Sequence, residues 1–112
     1  MLPIESAILS AGLDLRRNGE AEFHGFAIAK QMVDIGEAHG LTAHGTLYKA
    51  LARMEAAELL GSRWEDADLA LAEGRPRRRL YQVTGIGERA LATARANDRH
   101  RKLQPREGLA QQ

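Results

Sequence analysis

The chain has 112 residues, 44% of them apolar and 28% charged, and no cysteine. That size supports one domain around one core, and the absence of thiols excludes disulfides and thiolate chemistry. A net charge of +1 conceals an asymmetry, −6 over residues 1–74 against +7 over residues 75–112, so one basic face can meet a polyanion.

The run Ser6 to Leu13 is too short to cross a bilayer, and Glu5 rather than a basic segment precedes it. Neither a membrane span nor a signal peptide is expected, and the location expected is cytoplasmic. Ile4, Ile8, Leu9 and Leu13 repeat at helical spacing. They predict a helix over residues 3–17, opened by Pro3 and stopped at Asn18-Gly19. A second helix is expected from about His24 to Ala38, with Phe23, Phe26 or Ala27, Val33 and the set Ile28, Met32 and Ile35 supplying more apolar surface than one stripe needs. Gly36 weakens its interior, and Gly40 is the better stop.

The third helix is expected from Thr42 to about Ala57. Leu47, Leu51 and Met54 form its apolar stripe, while Thr46, Lys49 and Arg53 share a second, hydrogen-bonding and basic face. Two helices joined by a short Gly-containing turn, the second polar outside, describe a helix-turn-helix. Leu60 to Glu65 and Arg77 to Val83 read as antiparallel strands, the second alternating at period two. The connection DADLALAEGRP is long for a hairpin and predicts an extended wing. A last helix from Thr84 to Leu103 carries a narrow stripe of Ile86, Ala90, Leu91 and Ala94, and at roughly 30 Å it should project toward a partner. Residues 105–112 are expected to be a disordered tail. The fold class is therefore mainly α, a winged helix-turn-helix of three helices and a two-stranded wing, with a C-terminal dimerisation helix. Its parts are residues 1–83 for DNA binding, the first helix also serving the dimer, and residues 84–104 for dimerisation.

His44-Gly45-Thr46-Leu47-Tyr48, with Leu51, Arg53-Met54-Glu55 and Leu59-Leu60, closely resembles the PadR family of winged-helix transcriptional regulators. His24-Gly25-Phe26 and Ile28 resemble the start of that family's second helix. Gly74-Arg75-Pro76-Arg77-Arg78-Arg79, Tyr81, Val83-Thr84 and Gly87 resemble its second wing strand and the turn into its last helix. The likeness spans residues 23–91 in four ordered blocks, in the manner of short members with one C-terminal helix. It implies a homodimeric repressor, paired through its first and last helices, that binds operator DNA and is released by a small ligand or signal. Two positions depart from the pattern. Glu58 stands where the family usually has Gly, which costs about 1 kcal/mol if φ there is positive. Asp66, Asp68 and Glu73 make the wing tip acidic, leaving the arginine-bearing strand to meet phosphate.

The DNA-facing candidates on the third helix are Thr46, Lys49 and Arg53, with Thr42 and His44 at its start and Tyr48 beside the core stripe. Capping is the alternative role for Thr42, and plain packing for Tyr48. Arg75, Arg77, Arg78 and Arg79 are the wing candidates for phosphate or minor-groove contact. Arg99, Arg101, Lys102 and Arg106 read as solvated helix surface, with pairing across a dimer as the alternative. Ile4, Ile8 and Leu9 of the first helix and Ile86, Ala90, Leu91 and Ala94 of the last are the expected dimer interface, because one small core has no evident room for both stripes. Trp64 reads first as core, with stacking on an effector as the second reading. Leu69 and Leu71 are expected to fold back on the domain or join the dimer. His24, His39, His44 and His100 lack metal-ligand spacing, and no nucleophile, phosphate-loop or paired-acid signature is present. The expectation is a DNA-binding regulator without cofactor or catalysis. The rival is a winged-helix module docking an acidic protein.

Overall fold

A computed structural model describes residues 1–34 and 44–103. In chain order these form α1 (Pro3–Arg17), α2 (Gly25–Asp34), α3 (His44–Ala56), β1 (Leu60–Trp64), α4 (Ala67–Ala72), β2 (Arg79–Val83) and α5 (Gly85–Leu103). The readings that rest on Ile35, Gly36, Gly40, Thr42 and the tail lie outside the described residues, as do those on the side chains of Val33, His44, Arg101 and Lys102.

α1 begins where the sequence predicts. Pro3 sits in the first turn, where its missing N–H is no loss, and the Glu5 carboxylate accepts the Leu2 N–H at 3.0 Å. The helix ends with Gly19 at φ 92°, as the Gly19 and Glu20 amides donate to the Arg16 and Leu15 carbonyls. Its apolar face is the centre of the fold and meets α2, α3, α5 and β2. Three of the residues expected at a dimer interface are covered within the chain itself, Ile8 and Leu9 at 0% and Leu91 at 2% exposure, whereas Ile86 is 43% exposed. The physical reason lies in α5, whose first turn presses onto α1 and the end of α3. A Cβ at Gly87 would stand 2.2 Å from the Leu59 carbonyl oxygen and 3.1 Å from Leu9. Only glycine allows that approach.

α3 buries Leu47, Ala50, Leu51 and Met54, adding an alanine to the expected stripe. It closes with Glu58 at φ 64°, the Glu58 amide donating to the Glu55 carbonyl at 3.0 Å and the Leu59 amide to the Met54 carbonyl at 2.9 Å. The same pair of bonds ends α1 at Gly19 and α4 at Gly74, where glycine adopts the left-handed region without a Cβ clash. Glu58 carries that clash, so the glycine-to-glutamate departure is strained rather than a different helix end.

β1 and β2 pair antiparallel, with Leu60 opposite Val83, Ser62 opposite Tyr81 and Trp64 opposite Arg79. Burial declines along β1 from Leu60 to Trp64 as the ribbon leaves the helices. Phe23 adds a bridge that the sequence does not announce, exchanging both backbone hydrogen bonds with Tyr81 at 2.9 and 2.7 Å. The wing connection is not an extended loop. It folds into α4, whose Asp66 accepts the Asp68 N–H at 3.3 Å as an N-cap. Ala70 packs inward, whereas Leu69 and Leu71 face outward rather than folding back.

Candidate nucleic-acid interface

α3 exposes Gly45, Thr46, Tyr48, Lys49, Ala52, Arg53 and Ala56. At about 100° per residue, Lys49 stands near the middle of that face beside Gly45, Ala52 and Ala56. Thr46 and Arg53 occupy one flank and Tyr48 the other. One basic side chain among small neighbours leaves the backbone able to approach a groove closely. Arg53 is turned to the side, its Nε donating to Glu5 Oε2 at 2.7 Å.

Tyr48, half-exposed, sits across the start of α2. A Cβ at Gly25 would lie 2.6 Å from its hydroxyl oxygen, so the ring rests where Gly25 has no side chain. A shallow cleft there is lined by Tyr48, His24, Gly25 and Phe26, and by Arg77, Arg78 and Arg79 of the wing. His24 caps α2 through Nδ1, which accepts the Ala27 N–H at 3.3 Å. Burial, then the charges of Arg78 and Arg75, hold its imidazole below the ordinary histidine value, which favours the neutral ring that this cap requires.

The wing arginines do not act alike. Arg75 closes a fork on Glu65, Nη1 donating to Oε1 at 2.6 Å and Nη2 to Oε2 at 2.8 Å, while its Nε donates to Glu73 at 2.9 Å. The Glu65 side chain is 6% exposed and that of Arg75 18%. The expectation that Arg75 projects toward phosphate therefore gives way to an internal tie. Glu65 also accepts the Arg78 amide at 3.1 Å, and its backbone carbonyl accepts Arg77 Nε at 2.9 Å. The Arg75 hydrogen bonds, outweighing burial, hold the Glu65 carboxyl at about 2. One carboxylate thus fixes the strand from which Arg77, Arg78 and Arg79 emerge.

Trp64 is 54% exposed and not a core residue. Its ring faces two guanidiniums, Arg79 at 5.2 Å and Arg77 at 6.0 Å from the centroid. Arg79 also reaches Glu55 at 3.4 Å, and Glu55 accepts the Ser62 hydroxyl. These contacts join the α3 flank to the ribbon, so helix and wing present one continuous surface. Among the described residues no group of His, Asp and Glu could hold a metal ion, and no helix is long and apolar enough to cross a membrane. Glu5 and Glu65, which hold Arg53 and Arg75, were not among the sequence candidates. The only sequence signal for them is an isolated acid that a fold could bring against an arginine.

A helix-turn-helix order followed by an antiparallel ribbon, with basic residues on the third helix and the ribbon, defines the winged-helix class of DNA-binding proteins. Residues 15–93 match the profile of the Transcriptional regulator PadR-like family, and the chain belongs to it. It is accordingly a transcriptional regulator and not an enzyme. Among solved structures, a PadR family transcription regulator from Clostridium difficile is 28% identical, with 88% of this chain and 90% of that chain covered and a TM-score of 0.66. A PadR family transcriptional regulator from Eggerthella lenta is 27% identical over 79% of this chain and 70% of that chain, at a TM-score of 0.57. A transcriptional regulator from Clostridium thermocellum shares the fold at 21% identity, covering 88% and 82% of the two chains with a TM-score of 0.67. No curated protein matches the sequence.

Proposed function

We propose that this regulator is a homodimeric repressor that lays α3 of each subunit in successive major grooves of an inverted-repeat operator. The observation that carries this reading is the exposed Lys49 among Gly45, Ala52 and Ala56, beside a wing on which Arg77 is exposed and Arg78 and Arg79 are half-buried along one cleft. Lys49 reads a base edge or anchors a phosphate, Thr46 and Tyr48 donate to the backbone on either flank, and the wing arginines neutralise phosphates of the adjoining groove. Thr42 and His44, assigned to DNA on the sequence alone, complete the proposed contact.

Dimerisation is assigned to α5 and the outer edge of α1. Ile86 is exposed, Ala90 and Ala94 are half-buried, and the helix from Arg95 to His100 is exposed throughout. Ile4, half-buried, extends this surface, whereas Ile8, Leu9 and Leu91 support it from within. A twofold would set the two α3 helices about 34–36 Å apart. Release by a small ligand is assigned to Trp64, because an exposed ring within about 6 Å of two guanidiniums suits a planar anion that would compete with DNA for the wing. A mobility-shift titration of the protein on fragments of its own promoter region tests the reading: a discrete, saturable shift supports it, and none at low salt overturns it.

A further inference from the structure

The two basic side chains on the exposed part of α3 are treated differently by the fold. Lys49 makes no ion pair with another described residue, while Arg53 is held by Glu5 at 2.7 Å. Glu5 belongs to α1, and both of its oxygens are engaged: Oε2 takes Arg53 Nε, and Oε1 takes the Leu2 amide at 3.0 Å. Its side chain is 13% exposed. An ordinary surface ion pair gains little, because two flexible side chains must be ordered together. Here one partner is already fixed by the first turn of a helix that is anchored through buried Ile8 and Leu9. Partial burial pushes the carboxyl up, but the hydrogen bonds from Arg53 and Leu2 and the Arg53 charge outweigh it, so Glu5 is ionised at neutral pH.

Affinity for DNA of any sequence comes from cations on phosphates, and each such contact strengthens right and wrong sites alike. We propose that Glu5 is a specificity-determining residue, which holds Arg53 against α1 and so denies the recognition helix a phosphate contact that every duplex would offer. This rests on the DNA-binding reading above. The pair leaves Lys49 and its small neighbours to meet the groove and lowers the background against which that contact is read. The acid that matters for discrimination is thus on the first helix, outside the helix-turn-helix.

The test compares wild type, Glu5→Gln, Arg53→Ala and the double variant by fluorescence anisotropy, on a promoter fragment that the wild type shifts and on a random-sequence duplex, over a range of salt. Glutamine keeps an acceptor for the Leu2 amide and removes the charge, and thermal unfolding checks that the domain is intact. Glu5→Gln should bind the random duplex several-fold more tightly, with a log–log salt slope steeper by about 0.9 for each recognition helix engaged. Its promoter-to-random affinity ratio should fall, and the double variant should match Arg53→Ala. Unchanged random-duplex affinity would overturn the proposal, as would a gain that survives loss of Arg53. Weakened promoter binding alone would also overturn it, because Glu5 would then align Arg53 for a specific contact. A wild type that binds neither duplex would instead remove the DNA-binding reading, and this inference with it.

Discussion

The Thr84 hydroxyl donates to the Glu58 carbonyl at 2.6 Å and accepts the Gly87 amide at 2.9 Å, tying the left-handed end of α3 to the first turn of α5. One side chain therefore caps one helix and secures the exit of another. The strain at Glu58 is held in place by this tie and by the Leu59 amide on the Met54 carbonyl.

Replacing Glu58 by glycine should relieve that strain. Its φ of 64° costs a residue with a Cβ about 1 kcal/mol, partly offset by the greater freedom of glycine in the unfolded chain. Glu58→Gly should raise the unfolding free energy by up to about 0.5 kcal/mol, and the denaturation midpoint with it. An unchanged or lower midpoint would show that the Glu58 side chain stabilises the turn in another way.

Gly87→Ala should do the opposite. The added carbon would stand 2.2 Å from the Leu59 carbonyl oxygen, which is backbone and cannot swing aside. A loss of about 1–3 kcal/mol in urea unfolding is expected, typical of overpacking. A near-neutral result would mean that α5 can lift from α1 without cost.

The wing should weaken in acid. Glu65 titrates at about 2 in the folded chain, below its ordinary value of 4.5, so its contribution is complete above the unfolded value. That contribution is lost as pH falls from about 4.5 toward 2. Glu65→Gln should melt at a lower temperature than wild type at pH 7, and the gap should narrow below pH 4. Parallel melting curves across that range would remove Glu65 as the tie that fixes the wing.

Arg75→Ala and Arg78→Ala should separate structure from binding. The first removes the fork on Glu65 and should lower stability together with DNA affinity. The second should leave the melting temperature nearly unchanged while reducing affinity for all sequences and the salt slope by about 1 per subunit. If Arg75→Ala loses affinity with stability intact, its side chain meets DNA after all.

Deleting residues 96–112 should convert a dimer into a monomer that is still folded, because Leu91 and the α1 contacts remain. Light scattering decides the mass, and far-UV circular dichroism the fold. A monomeric full-length protein at micromolar concentration would assign α5 another task.

Local patterns in the sequence located α1, β1 and the start of α5 to within a residue or two but missed α4, which was expected as an extended loop. Pro3, the Ile4–Ile8 spacing and Asn18-Gly19 are short-range signals, and α1 occupies residues 3–17 accordingly. Helical periodicity likewise separates Leu47, Leu51 and Met54 from Lys49. The arrangement of charge was not legible in this way, because Glu5–Arg53 and Glu65–Arg75 form only when distant segments meet. Counting four wing arginines could not reveal that one faces inward. Trp64 misleads for a related reason: its type suggests burial, but the strand has left the helices by that position. In α4, Ala70 packs and the leucines face solvent, so apolar character alone pointed to the wrong residues.

The exposed indole beside Arg77 and Arg79 has an optical consequence. Trp64 is the chain's sole tryptophan, so its emission is an unlabelled reporter from one place on the wing. Any anion that draws either guanidinium away changes the field over the ring, and iodide should quench the free protein more strongly than one whose wing is covered. Intensity and quenching together would time the arrival of the wing at DNA separately from the docking of α3.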